Sequence, residues 1–183
     1  MVKKIITWVD LEGRYRVTSP AYNDSARPPG ETEDECIARV VAKIKIHYGL
    51  PDSHTFHFVE DTDQQTRLAE CGGQHFRCSG MPDEAGHHDA RGGAWEMDTD
   101  GRPKINMPKA RVVHMDKIRQ ARNAKLVNLD IPFMRAVESG STADQLEIKT
   151  KKQVLRDIPA NFVLSGYTTP NTLKAAWPTE LSD

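Results

Sequence analysis

The sequence predicts an α+β protein: a small N-terminal β-hairpin, helix and strand module, an irregular Gly-rich insertion, and a C-terminal antiparallel helical hairpin. Three observations carry this reading. Over residues 1–60, short β-branched and aromatic runs alternate with turn residues and one capped helix. Over 61–105, glycine and proline crowd the chain. Over 106–158, apolar residues recur at three- and four-residue steps between capping signals, and 159–183 follow as a tail with a short helix.

Lys3 to Val9 (KKIITWV) is a β-prone run, broken by Asp10-Leu11-Glu12-Gly13 and resumed from Arg14 to Thr18, so a hairpin is expected. In its second strand Tyr15 and Val17 share one face and Arg14 and Arg16 the other. Residues 19–30, with three prolines and Gly30, read as a loop. Thr32-Glu33-Asp34-Glu35 is a capping box, in which the Thr32 hydroxyl accepts from the Glu35 amide and the Glu35 carboxylate reaches back. Ile37, Val40, Val41 and Ile44 give the following helix one apolar face, and Gly49 and Pro51 stop it. Thr55 to Val59 reads as a third strand. His47, His54 and His57 have no catalytic companion in sequence and are expected as surface or edge residues.

The insertion holds CGGQHFRCSGMPDEAGHH. Cys71, His75 and Cys78 with His87 or His88 supply the four N and S donors that tetrahedral zinc needs, and the glycines allow the turns. The spacing is not a C-x2-C framework, so a free Cys/His loop and a Cys71–Cys78 disulfide stand beside zinc as alternatives. The deaminase and H-E-x-x-H signatures are absent from the sequence. Ala94 to Met97 reads as a strand end, followed by a turn through Gly101.

Asn106 is the expected cap of a long helix with Pro108 in its first turn. Val112, Met115, Ile118, Leu126 and Leu129 form a narrow stripe that buries one seam, against another helix or another subunit. Asp130-Ile131-Pro132 predicts a kink or restart with Asp130 as cap. Phe133, Met134 and Val137 continue the apolar face to Gly140. Thr142 to Gln145 predicts a second capping box, Leu146, Ile148, Val154, Leu155 and Ile158 the next apolar face, and Pro159 the stop. In the tail, Thr169-Pro170 starts a short helix ending at Trp177, a large anchor for packing on the hairpin or on a partner.

Composition bounds the function classes. At 183 residues, with 38% hydrophobic and 28% charged side chains, the chain suits one domain with a modest core and much solvated helix surface. The net charge of −1 hides a net acidic stretch over 1–107 and a net basic one over 108–158. Arg111, Arg119, Arg122 and Lys125 raise a nucleic-acid reading, but the charges are scattered, lack interleaved aromatics and match no recognition module. No apolar run reaches the ~20 residues of a membrane span. The N-terminus runs into a strand with no small-residue cleavage site, and three cysteines do not make a disulfide framework, so synthesis in a reducing cytoplasm is expected. No nucleophile–base pair, phosphate loop or dinucleotide fingerprint is present.

Three stretches carry a family resemblance: ITWVDLEGRYRVTSPAYND, GETEDECIARVVAKI and NMPKARVVHMDKIRQARNAKLVNLDIPFMRAV, together with the terminal LKAAWP. They resemble small proteins encoded among the tail genes of tailed bacteriophages and prophages, and the layout is similar to tail-fibre assembly proteins. About two thirds of the chain is covered, without the Cys/His insertion. The resemblance implies a non-enzymatic tail protein, a virion component or a fibre-assembly factor, made in the bacterial host cytoplasm and retained or not in the tail. Its partners would be tail or fibre proteins and further copies of itself, met through Val112, Met115, Ile118, Leu126, Leu129, Phe133 and Trp177. The alternative is a zinc-stabilised binding module or metal enzyme centred on the Cys/His loop.

Overall fold

The structure, a computed structural model, describes residues 4–20, 28–76 and 93–182. Its architecture is α+β, with strands first and a helical hairpin last. Strand β1 (Lys4–Val9) is the middle of a three-stranded antiparallel sheet, between β2 (Tyr15–Thr18) and β3 (His57–Glu60). Four successive residues of β1, Ile5 to Trp8, are buried, so both faces of the strand are covered. Ile6 and Trp8 pack on helix α1 (Glu33–Tyr48) through Ile37 and Ile44, closed by Leu50. Thr7, on the other face, donates its hydroxyl to the Gly101 carbonyl at 2.8 Å.

Local chemistry sets these elements. Asp10 pins the β1–β2 turn: its Oδ1 accepts from the Glu12 and Arg14 amides, and its Oδ2 from the Arg14 and Arg16 Nε atoms at 2.8 Å. Burial alone would raise this carboxyl. The Arg14 amide and the two guanidinium groups outweigh it and hold Asp10 below its ordinary value. The Thr32–Glu35 capping box forms as its residues dictate, and Gly49 closes α1 in the left-handed region at φ 62°. The third strand starts two residues later than expected and runs on to Glu60.

The described parts of the insertion, 61–76 and 93–105, hold more regular structure than its glycines suggest. It contains helix α2 (Asp61–Glu70), a 3₁₀ turn (Gly73–Phe76) and a hairpin of β4 (Trp95–Met97) with β5 (Pro103–Ile105). Nor is it an appendage. Cys71, Phe76, Ala94 and Trp95 share one buried cluster with Ala110 and Val113 of the arm and Leu164 and Leu173 of the tail. The expected segments 61–105, 106–158 and 159–183 therefore share one core, and Tyr15 of segment 1–60 packs against it.

The arm comprises α3 (Met107–Asn128), α4 (Asp130–Glu138) and the returning α5 (Thr142–Asn161). Asn106 caps α3, its side chain accepting from the Lys109 amide. Three details differ from the sequence expectation. Leu129, in the right-handed helical region, separates α3 from α4, and Asp130 is the first residue of α4 rather than its cap. Ser141, not Thr142, caps α5, and its hydroxyl donates to the Asp144 carboxylate at 2.6 Å. Pro159 lies inside α5, which runs on to Asn161; so near the end, the proline forfeits one amide bond without breaking the helix. The tail adds α6 (Pro170–Ala175), capped by Thr169, and a last 3₁₀ turn (Thr179–Leu181). No helix among the described residues is long and apolar enough to cross a membrane.

Candidate functional site

The arm's seam is closed from within. Ile118 is fully buried against Leu155 and Ile158 of α5, with Met115, Leu126 and Leu129 packed around them. Phe133 lies under the Lys149 and Lys152 ammonium groups of α5, at 5.8 and 5.1 Å from its ring centre. Of the residues expected to meet partners, Ile118 thus has no surface to offer. Met115, Leu126, Leu129 and Phe133 are largely spent on α5 or the core. Val112 departs from the expected seam and is 52% exposed, because the first half of α3 turns Ala110, Val113 and His114 inward instead.

What the arm exposes is a different stripe. Val127 and Ile131 are each 64% exposed and Met134 is 56% exposed. They follow one another at steps of four and three residues, which places them on one face of α3 and its continuation α4. The partly buried Leu129 and Phe133 and the buried Ala136 interleave with them and take the other face. A polar residue at any of the three would be the ordinary surface choice, so an apolar run there needs a reason.

The four basic residues of α3 that raise a nucleic-acid reading are engaged inside the chain. Arg111 donates to the Leu164 and Tyr167 carbonyls at 3.2 and 3.1 Å, and Arg119 pairs with Asp116 at 2.8 Å. Arg122 donates to the Asn123 side chain, and Lys125 reaches the Glu180 and Ser182 carbonyls. Each has a tertiary or local role.

Of the expected metal ligands, Cys78, His87 and His88 lie outside the described residues. Cys71 and His75 point to separate partners. The Cys71 thiol donates to the Pro103 carbonyl at 3.6 Å, and burial pushes its pKa up, so it stays a protonated and unreactive thiol. His75 Nε2 lies 2.9 Å from His114 Nδ1, and His114 Nε2 lies 2.7 Å from the Ala176 carbonyl. Among the described residues, no group of three or more His, Cys, Asp or Glu side chains could hold a metal ion.

The fixed acceptor settles the tautomers along this relay. A carbonyl can only accept, so His114 Nε2 donates to Ala176 and His114 Nδ1 accepts from His75 Nε2. This assignment is that of the neutral rings, which burial favours. Burial holds His114 below its ordinary value, and burial followed by His114, Lys117 and Lys174 depresses His75 to about 4. Phe76 and Trp177 cover the pair edgewise. Because the relay ends on a carbonyl, it works as a clamp between the 3₁₀ turn at Gly73–Phe76, helix α3 and the tail. Sequence reasoning did not single out His114; its only signal is its place between Ala110 and Ile118 at helical spacing.

The clamp carries a pH signature. A histidine whose pKa is lower folded than unfolded stabilises the protein fully above its unfolded value, near 6.5, and progressively less as pH falls towards 4. After discounting for partial exposure, lowering the pH from about 7 to about 5 costs about 1–2 kcal/mol through His75. Urea midpoints across that range check this. The effect shrinks in His75→Gln, and a pH-independent midpoint would contradict the relay.

No family model, curated protein or solved structure matches the chain.

Proposed function

We propose that the protein is a non-enzymatic assembly protein of a bacteriophage tail, working in the host cytoplasm by gripping a tail or fibre protein along the exposed stripe of its arm. The observation that carries the reading is Val127, Ile131 and Met134, three large exposed apolar side chains aligned along α3 and its continuation α4, whose other face packs on α5. Spacing of this kind is what helix-in-groove and paired-helix recognition use. Full burial of each would contribute about 1.5–3 kcal/mol before the costs of association. The tail context comes from the sequence resemblance alone.

Co-expression with tail and fibre proteins of a phage carrying this chain, followed by affinity purification, tests the proposal. The wild type copurifies with one of them, and Ile131→Asp combined with Met134→Asp weakens that complex by roughly a hundredfold. A wild-type chain that retains none of them overturns it.

A further inference from the structure

A second unpartnered surface of the arm lies along α5. Two hollows, of about 490 and 390 Å³, flank Val154, which lines both and is 44% exposed. The first includes Leu129 and Leu155 in its lining, the second Ile158 and Phe162, so each exposes core side chains at depth. Charge is ordered along the same helix. Lys151 borders the first hollow, three residues before Val154, and Asp157 borders the second, three residues after it. Among the described residues Lys151 bonds to Glu147 of its own helix, and Asp157 accepts from Gln153 of its own helix. Both groups keep hydrogen-bonding capacity toward solvent.

We propose that this face docks a second copy of the chain, with the two α5 helices antiparallel across a two-fold axis at Val154. The inference rests on the reading that the arm works through protein contacts. A two-fold at residue 154 maps each position onto the one equally distant on the other side. Lys151 of each copy therefore meets Asp157 of the other, twice over, while Val154 packs on its own counterpart. At about 1.5 Å per residue the two charges stand roughly 9 Å apart along the helix, far enough to pair on either side of the apolar contact. A uniformly acidic or basic helix would match one end of this face and clash with the other. A parallel copy would set Lys151 on Lys151. The antiparallel copy satisfies both ends, and the hollows beside Val154 receive the partner's flanking side chains.

Sedimentation velocity on the full chain over a dilution series tests this, with circular dichroism confirming that each variant is folded. The wild type shows a concentration-dependent dimer. Lys151→Asp and Asp157→Lys each weaken it about tenfold, because two opposite-charge contacts become two like-charge contacts. An equimolar mixture of the two variants recovers wild-type association, since every pairing across the axis is again between opposite charges. A wild type that stays monomeric overturns the proposal, as does a mixture no tighter than either variant alone, or a Val154→Asp variant that dimerises like the wild type. A monomer that still captures a tail protein through Ile131 and Met134 removes the dimer and leaves the proposed function standing. A dimer that captures none does the reverse.

Discussion

Gly101→Ala lowers the stability of this protein by about 3 kcal/mol or more. Two independent effects add. Gly101 sits at φ 82°, where an L-residue pays strain of about 1 kcal/mol. An added Cβ would also fall 2.3 Å from the His57 Cβ and 3.0 Å from the Thr7 hydroxyl oxygen, and neither is the free end of a flexible chain. Relieving that clash moves the Asp98–Arg102 turn off the sheet. The Gly101 carbonyl then loses the Thr7 hydroxyl, and the Tyr15 hydroxyl at 3.2 Å with it. Gly13→Ala is the control: its φ is 76°, but its Cβ would meet nothing within 4 Å. Denaturant midpoints of the two variants separate backbone strain from close approach. Equal losses would show that the β4–β5 turn does not press on the sheet as described.

The second large effect is at His114. His114→Ala removes a fully buried side chain and leaves the Ala176 carbonyl without its donor and His75 without its acceptor. Cavity and orphaned groups together cost roughly 3–5 kcal/mol. The loss has a direction in space. The tail is fastened to α3 through this ring, so trypsin cleavage after the exposed Lys174 accelerates more than cleavage within α5. His114→Phe retains volume but not the bonds, and recovers only the cavity part of the loss. A variant that loses stability evenly, with no preferential tail cleavage, contradicts the clamp.

Much of this fold is legible in the sequence because it is enforced locally. Thr32 and Glu35 cap each other across three residues, Gly49 takes the one backbone region that closes α1, and Asn106 caps α3. Ile118, Leu155 and Ile158 meet because a short turn returns α5 along α3. What escapes the sequence is what depends on distant partners. Helix α2 has no side-chain cap and, among its described side chains, no buried one, so nothing in DTDQQTRLAE marks its limits. The shift of the inward face of α3 from Val112 to Val113 and His114 follows from packing on Phe76, Trp95 and Leu173, which come from three other elements. Of the expected sites, Cys71 and His75 are each committed to other partners, and the exposed stripe takes Met134 from the expected apolar face but Val127 and Ile131 from beside it.

The cluster uniting Phe76, Trp95, Val113, Leu164 and Leu173 also bears on how the chain is made. Its members are spread over nearly a hundred residues, and two of them come from the last twenty. Contacts so distant in sequence close late, after the loops between them have been ordered. While a ribosome is still adding the tail, Phe76 and Trp95 have no Leu173 to pack against, and the nascent chain exposes apolar surface that attracts chaperones or its neighbours. Removing the final fifteen residues is then not a trim of a surface strand of chain, because it takes Leu173 out of the core and yields a product retained in inclusion bodies.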